Sequence, residues 1–160
     1  MVDRFADADP SNNQAVDRLD PQAWHGGDLA GVTQHIPPLK ALGVTDIWLT
    51  PIFSSRSKKF HKHGAFHGYW THDLGKVDAR FGGLPAAKEL RRATRAAGIK
   101  LHLDLVTNHV AWDSPLRNSH PEWFHPDQAI TDPHDAKQRE IGWVHGLPDL
   151  AQERPEVSEY

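Results

Sequence analysis

Oxygen-bearing side chains are concentrated in one segment near the N-terminus. The run Asp7-Ala-Asp-Pro-Ser-Asn-Asn13 is followed at a distance by Gly26-Gly-Asp28. Carboxylates, Asn amides and backbone carbonyls are the ligands that Ca²⁺ prefers, and calcium tolerates an irregular arrangement of about six to eight of them. The spacing is not that of an EF-hand loop. Two interpretations are open: a calcium loop, and a turn of good turn-forming residues with Asp28 as a helix cap.

A second segment combines aromatic rings with imidazole groups, in the run Phe66-His-Gly-Tyr-Trp-Thr-His-Asp73. Sugars stack their C–H faces on aromatic rings while their hydroxyls bond to polar side chains, so this mixture is suited to a carbohydrate-binding surface. A structural cluster of loop aromatics is equally compatible. A zinc site is a third alternative, although no carboxylate set stands at a recognised zinc spacing. That alternative would use His61, His63, His67 and His72.

The third segment, Asp104-Leu-Val-Thr-Asn-His109, comes at the end of a β-rich run. Because side chains alternate along a strand, Asp104, Val106 and Asn108 lie on one side of it. A carboxylate and an amide therefore emerge together at the end of the strand. From the residues alone, Asp104 is either a structural hydrogen-bond anchor or a catalytic nucleophile.

The elements that would position these segments repeat a helix, glycine and strand pattern. Apolar residues at helical spacing begin after Asp28 and continue to Leu42, with Pro37 and Pro38 expected to kink or break the helix. Gly43 ends this unit, and residues 44–49 follow as a strand.

The second unit predicts a helix from Pro85 to Gly98 and a strand over residues 99–106. A first strand is expected over residues 2–5. The pattern indicates βαβ construction around a parallel sheet. Three long polar segments, residues 6–27, 51–83 and 110–148, follow strand ends, where parallel α/β folds bind their ligands. The Trp-rich segment 110–148 is expected to form a small packed lobe.

Composition excludes several classes of protein. The 160 residues carry a net charge of −3, which argues against a nucleic-acid-binding protein. The absence of cysteine excludes a disulfide scaffold and thiolate catalysis. No window approaches a membrane span and the first residues lack the pattern of a signal peptide, so we expect a soluble chain without membrane partners. The compartment stays open, because residues could precede Met1.

Taken in order, these segments resemble the N-terminal part of the catalytic domain of the α-amylase family, glycoside hydrolase family 13. Asp104-Leu-Val-Thr-Asn-His109 resembles the first family signature, at the end of the third barrel strand. His67-Gly-Tyr-Trp70 resembles the loop after the second strand, and Leu147-Pro-Asp-Leu150 resembles the signature that closes the inserted domain B. The oxygen-rich segment resembles the calcium loop of the cyclodextrin glucanotransferase, maltogenic amylase and cyclomaltodextrinase branches.

The resemblance implies an α/β fold: the N-terminal part, about three βα units, of a (β/α)8 TIM barrel with an inserted domain B, the barrel not being closed. Residues 1–109 would hold barrel strands 1 to 3 and the calcium loop, residues 110–148 domain B, and residues 149–160 the return to the barrel. A closed barrel takes about 250 residues. A chain of 160 residues therefore predicts a fragment.

The resemblance also implies roles for individual residues. His67, Tyr69, Trp70 and His109 would bind substrate, and Asp104 would support the site without acting as nucleophile. Calcium is the implied cofactor. Its implied ligands are Asp7, Asp9, Asn12, Asn13, Gly26 and Asp28 in one set, and Asn108 and Asp149 in another. The chain departs from the family pattern at Ala8 and Asp9, where Gly or Asn is common.

The implied activity is that of a retaining glycoside hydrolase or transglycosylase acting on α-1,4 or α-1,6 bonds of an α-glucan or maltooligosaccharide, with a nucleophile and a general acid. Nothing after Leu150 resembles the family's nucleophile region. We expect both catalytic carboxylates beyond Tyr160, no catalytic residue within this chain, and an inactive isolated chain. The alternative is a non-catalytic α-glucan-binding module, which strong affinity for maltooligosaccharides would favour.

Overall fold

The computed structural model describes residues 1–160 and contains six α-helices, four short strands and five 3-10 helices. The α-helices are α1 (Leu29–Gln34), α2 (Ile36–Ala41), α3 (Gly83–Ala97), α4 (Leu116–Ser119), α5 (Ala136–Ile141) and α6 (Pro155–Ser158). The strands are β1 (Asp46–Leu49), β2 (Phe53–Ser55), β3 (Thr71–Val77) and β4 (Lys100–Leu103). The 3-10 helices are Val2–Arg4, Pro10–Asn12, Ala79–Phe81, Pro121–Trp123 and Val144–Gly146.

Strands β1 and β4 form a parallel pair, with Ile47 opposite Leu101. Both of these side chains pack against the main hydrophobic core, to which α1 and α3 contribute Val32 and Leu90. The predicted parallel βαβ construction is therefore confirmed. The other face of the pair is uncovered, and Trp48 on it is 73% exposed. The α/β class and an unclosed barrel are thus both confirmed.

The helix boundaries follow capping chemistry. The Asp28 carboxylate accepts a hydrogen bond of 2.6 Å from the Gly31 N–H, which caps α1. The predicted break at Pro37 and Pro38 is confirmed, because α1 ends before His35 and α2 begins at Ile36. Helix α3 starts at Gly83, two residues before the predicted Pro85, and ends at Gly98 with a left-handed φ of 67°.

The prediction of a strand over residues 2–5 is wrong, because Val2–Arg4 is a 3-10 helix. Val2 and Asp3 are buried, but the polar groups of Asp3 bond to residues 25–27 instead of to a sheet. The Asp3 carboxylate accepts hydrogen bonds from the N–H groups of His25 and Gly26, at 2.9 Å and 3.1 Å. The Gly27 N–H donates to the Asp3 carbonyl at 2.9 Å. These bonds fix the returning loop against residues 2–4, so two parallel strands form in place of three.

The long polar segment 51–83 contains strands of its own, because β2 and β3 pair within it as an irregular antiparallel ribbon. A buried ion pair fixes the ribbon. Asp78 Oδ2 accepts a hydrogen bond of 2.8 Å from the Ser55 N–H, and Arg80 Nη2 donates to the Ser55 carbonyl at 2.6 Å. Arg80 and Asp78 bond to each other at 2.6 Å, and the Arg80 guanidinium lies 3.7 Å from the centre of the Trp24 ring.

The segment that follows His109 is built around a second, smaller core made of Val110, Leu116, Phe124 and Leu150. Trp143 is buried, while Trp112 is 44% exposed. The boundaries of domain B at residues 110 and 148 stay a prediction. No helix in the chain combines the length and the apolar character needed to cross a bilayer.

Candidate functional site

Tyr69 and Asp104, two of the predicted site residues, are in contact. Tyr69 precedes β3, and Asp104 is the residue directly after β4. The Tyr69 hydroxyl donates a hydrogen bond of 2.7 Å to Asp104 Oδ2. This hydrogen bond, with smaller contributions from burial and from the carboxylate charge, raises the pKa of the Tyr69 phenol. Tyr69 stays 38% exposed, so it presents part of its ring to solvent while Asp104 holds its hydroxyl.

His67 fixes the other side of Tyr69. Its Nδ1 accepts a hydrogen bond of 3.0 Å from the Tyr69 N–H, which requires an unprotonated Nδ1. The two rings stack at 5.8 Å between centroids and 23° between planes. Burial lowers the pKa of His67, in agreement with a neutral imidazole. Trp70 lies edge-on to His67 at 4.9 Å and packs against the main core, so it supports this ring from behind.

His109 completes the surface. Its Nε2 lies 3.1 Å from the Tyr69 carbonyl oxygen, and since a carbonyl only accepts, Nε2 carries the proton. Nδ1 is buried and has no hydrogen-bond partner. Burial lowers the pKa of His109 by more than its hydrogen bond to Tyr69 raises it. We call His67, Tyr69 and His109 the aromatic wall.

A single carboxylate contacts the aromatic wall. The wall offers one tyrosine ring face and two neutral imidazoles, which suits contact with the apolar face and hydroxyls of a sugar. Retaining glycosidases need two carboxyl groups about 5 Å apart. Asp104 is the carboxylate that contacts the wall, and its Oδ2 is already bonded to Tyr69.

The structure also brings Asn108 and Asp149 together, although they lie far apart in the sequence. Asn108 Nδ2 donates to Asp149 Oδ1 at 2.8 Å. His125, which sequence reasoning did not single out, places Nδ1 2.7 Å from Asp149 Oδ2 and Nε2 3.0 Å from Glu153 Oε1. Burial disfavours the charged imidazole, but these two hydrogen bonds outweigh it and raise the pKa of His125. Both Asp149 oxygens are thus bonded within the chain, and calcium at this pair stays a prediction.

The oxygen-rich segment behaves differently, because several of its oxygens have no partner. Asp7 Oδ1, Asn12 Oδ1 and Asn13 Oδ1 are all buried without a hydrogen bond. A Cβ placed on Gly26 would come within 2.6 Å of Asn13 Oδ1 and 2.9 Å of Asp7 Oδ2, so these groups converge on the Gly26 backbone. Buried unpaired oxygens are costly unless something compensates them. Three such oxygens in one loop fit a hard cation such as Ca²⁺.

The other two predicted ligands of this segment bond to the loop itself. Asp28 Oδ2 accepts from the Asp9 N–H at 2.9 Å and from Asn12 Nδ2 at 3.2 Å, while Oδ1 accepts from the Gly31 N–H. Asp9 Oδ1 accepts from the Ser11 N–H at 3.1 Å. Asp28 therefore joins the cap of α1 to the loop.

Arg18 also belongs to this loop and was not found from the sequence. Its Nη2 donates to Asp7 Oδ2 at 2.7 Å, and its Nε donates to the His25 carbonyl at 3.0 Å.

No group of three or more His, Cys, Asp or Glu side chains is arranged to hold a metal ion. The histidines between residues 61 and 72 therefore do not form the cluster that a zinc site needs.

The chain is similar in sequence to known proteins. The family model described as "Alpha amylase, catalytic domain" matches residues 1–140. The cyclomaltodextrin glucanotransferase of Klebsiella oxytoca is 32% identical over 186 residues, covering 100% of this chain and 28% of that protein. Neopullulanase 2 of Thermoactinomyces vulgaris is 34% identical over 178 residues, covering 99% of this chain and 29% of that protein.

Solved structures give the same result for the fold. The crystal structure of the α-amylase from Geobacillus thermoleovorans complexed with acarbose matches with a TM-score of 0.87 and 43% identity. The match covers 100% of this chain and 34% of that chain. The chain thus spans about a third or less of the length of the relatives it matches.

Proposed function

This chain belongs to the α-amylase family, and we propose that it supplies the α-glucan-binding surface and a calcium loop of a retaining glycosidase or transglycosylase. The observation that carries this proposal is the aromatic wall, in which Tyr69 is held by Asp104, His67 and His109 together. In this proposal residues 1–109 are barrel, residues 110–148 are domain B, and residues 149–160 return to the barrel.

The wall is suited to an uncharged sugar for an electrostatic reason. Burial lowers the pKa of both His67 and His109, so the wall is neutral near pH 7 apart from Asp104 behind it. His67 keeps its Nε2–H as a donor because its Nδ1 accepts from the Tyr69 N–H, and His109 keeps Nδ1 as an acceptor without a partner. The Tyr69 ring then provides the stacking surface. The binding of acarbose by the Geobacillus thermoleovorans relative supports a carbohydrate ligand for this chain as well.

We propose that no residue among these 160 acts as nucleophile or general acid. Asp104 contacts the wall through Tyr69 and does so alone, whereas the retaining mechanism uses a pair. Its function is to position Tyr69. In this proposal the bond-breaking carboxylates belong to the parts of the family's catalytic domain that this chain does not contain.

Calcium fits the oxygen-rich loop. Asp7, Asn12 and Asn13 supply three buried oxygens without partners, and one of these, Asn13 Oδ1, lies beside Gly26. We assign Asp9 and Asp28 to shaping this loop, since their oxygens accept its N–H groups. When bound, calcium would neutralise the loop and join it to the start of α1. In this proposal its effect is on the stability of the loop.

The test is a titration of the 160-residue chain with maltoheptaose, by isothermal calorimetry and saturation-transfer NMR. One face of a binding cleft is expected to give a dissociation constant of about 1 mM or weaker. Tyr69→Ala removes the stacking ring and is expected to weaken binding about tenfold. Tyr160→Ala is the matched control, because Tyr160 is exposed and its ring packs on Trp123 and not on a residue of the wall.

Three results would contradict this function. If wild type and Tyr69→Ala bind maltoheptaose equally, the aromatic wall is not part of the binding site. Release of reducing sugar from soluble starch, lost in Asp104→Asn, would make Asp104 catalytic. Micromolar affinity without hydrolysis would favour a non-catalytic α-glucan-binding module.

A further inference from the structure

Arg18 places a positive charge on one of the proposed calcium ligands. Its guanidinium makes two contacts with the loop, one to Asp7 Oδ2 at 2.7 Å and one to the His25 carbonyl at 3.0 Å. The Arg18 side chain is 62% exposed, whereas the Asp7 side chain is 11% exposed. The exposed Arg18 guanidinium is therefore bonded to the nearly buried Asp7 carboxylate.

The two oxygens of Asp7 are in contrasting environments. Oδ2 accepts from Arg18 and also from Asn13 Nδ2 at 2.8 Å. Oδ1 is buried without a partner, as are the Oδ1 atoms of Asn12 and Asn13. The loop thus gathers oxygens for a cation, and the positive charge next to them comes from Arg18. Removing Arg18 would leave Asp7 with a single N–H donor.

We propose that Arg18 is a built-in counter-ion that holds the loop together without calcium and competes with calcium for Asp7. This inference rests on the calcium loop of the proposed function. Arg18 can move into solvent when calcium binds, because it is attached only through its guanidinium and is largely exposed. The competition lowers the calcium affinity and keeps the metal-free loop ordered, so the loop exchanges one cation for another.

The attraction between Arg18 and Asp7 sets the expected size of the effect. Calcium has to displace the Arg18 charge from Asp7, and the attraction of this pair at 2.7 Å in a water-like dielectric corresponds to about tenfold in an equilibrium constant. We therefore expect Arg18→Gln to bind calcium about tenfold more tightly than the wild-type chain. Arg18→Lys keeps the charge but cannot reach both contacts with a planar fork, so it is expected to give an intermediate gain.

The experiment titrates calcium into the chelator-treated 160-residue chain by isothermal calorimetry and records melting curves with EDTA and with saturating calcium. Arg18→Gln is expected to melt lower than wild type in EDTA, with the difference reduced or reversed in calcium. Arg92→Gln is the matched control. It removes the same charge from an exposed pair with Glu89 and is expected to leave calcium affinity unchanged.

The outcomes separate the two proposals. If the wild type binds calcium and Arg18→Gln binds it equally or more weakly, the competition is wrong and the calcium loop stands. If Arg18→Gln lowers the melting temperature equally in EDTA and in calcium, the competition is also contradicted, because the role of Arg18 is then purely structural. If neither wild type nor Arg18→Gln binds calcium, both the competition and the calcium loop are wrong. If Arg92→Gln also binds calcium more tightly than the wild type, the effect comes from net charge in general, and the specific role of Arg18 is wrong.

Discussion

The Tyr69 hydroxyl donates a 2.7 Å hydrogen bond to Asp104 across 35 residues of sequence. This bond ties the loop before β3 to the end of β4. Because the carboxylate holds the hydroxyl and part of the ring stays exposed, Asp104 fixes the position of the exposed Tyr69 ring.

The Tyr69–Asp104 bond predicts an abnormal tyrosine titration. The bond to a carboxylate raises the pKa of Tyr69 above its ordinary value of about 10. The chain has two tyrosines, so Tyr160→Phe leaves Tyr69 as the single titrating phenol. Tyrosinate absorbance in that background is expected to rise at lower pH once Asp104→Asn is added. Circular dichroism at each pH restricts the comparison to folded protein, and identical titrations would show that the bond does not form.

A second prediction concerns pH and His67. Burial lowers the pKa of folded His67 below the unfolded value of about 6.5. The unfolded chain then takes up this proton first on acidification, so stability is retained above about pH 6.5 and lost as the pH falls through the folded pKa. His67→Gln keeps an acceptor for the Tyr69 N–H and removes the titration.

Urea unfolding between pH 8 and pH 5 measures this effect. The stability difference between wild type and His67→Gln is expected to shrink as the pH falls. His134→Gln, at an exposed turn, serves as the control and should follow the wild type. A pH-independent difference for His67→Gln would show that His67 contributes no titration of this kind.

A third prediction concerns the buried Asp78–Arg80 pair, whose two residues are 3% and 8% exposed. Asp78→Asn leaves the Arg80 charge buried beside Trp24 without its partner. Breaking such a pair typically costs about 3 to 5 kcal/mol. We expect a loss of this size in the free energy of unfolding, measured with urea. Glu89→Gln, in an exposed pair with Arg92, should leave the stability unchanged, and equal effects of both variants would refute the role of burial.

A fourth prediction concerns metal removal. At calcium concentrations about a hundredfold above the dissociation constant, binding stabilises by about 2.7 kcal/mol. For a chain of this size that raises the melting temperature by about 5 to 10 °C. Chelation should reverse the increase, and Asp7→Asn should abolish it. Asp127→Asn makes the same change at an exposed position and should retain it. A calcium response preserved in Asp7→Asn would place the ion elsewhere.

The sequence was sufficient for features that depend on neighbouring residues. The capping of α1 by Asp28, the break before Pro37 and the end of α3 at Gly98 follow from local backbone chemistry, and all three were predicted. The parallel pairing of β1 with β4 follows from the helix between them. The family signatures at Asp104 and Asp149 are likewise local runs of sequence.

The tertiary structure decided what depends on contacts between distant segments. Residues 2–5 read as a strand, but Asp3 bonds to His25 and Gly26, and this competition favours a 3-10 helix. The β2–β3 ribbon depends on the buried Asp78–Arg80 pair, and the hydrophobic periodicity of the sequence does not predict this contact.

The same distinction applies to the site. Sequence determined which side chains are available for the proposed stacking on a sugar and the proposed binding of calcium. Only folding decided that Asp104 bonds to Tyr69, that His125 bonds to Asp149, and that Arg18 bonds to Asp7. Hydrogen bonds and ion pairs act over a few ångströms of space whatever the separation in sequence, so these partners could be assigned only once the chain was folded.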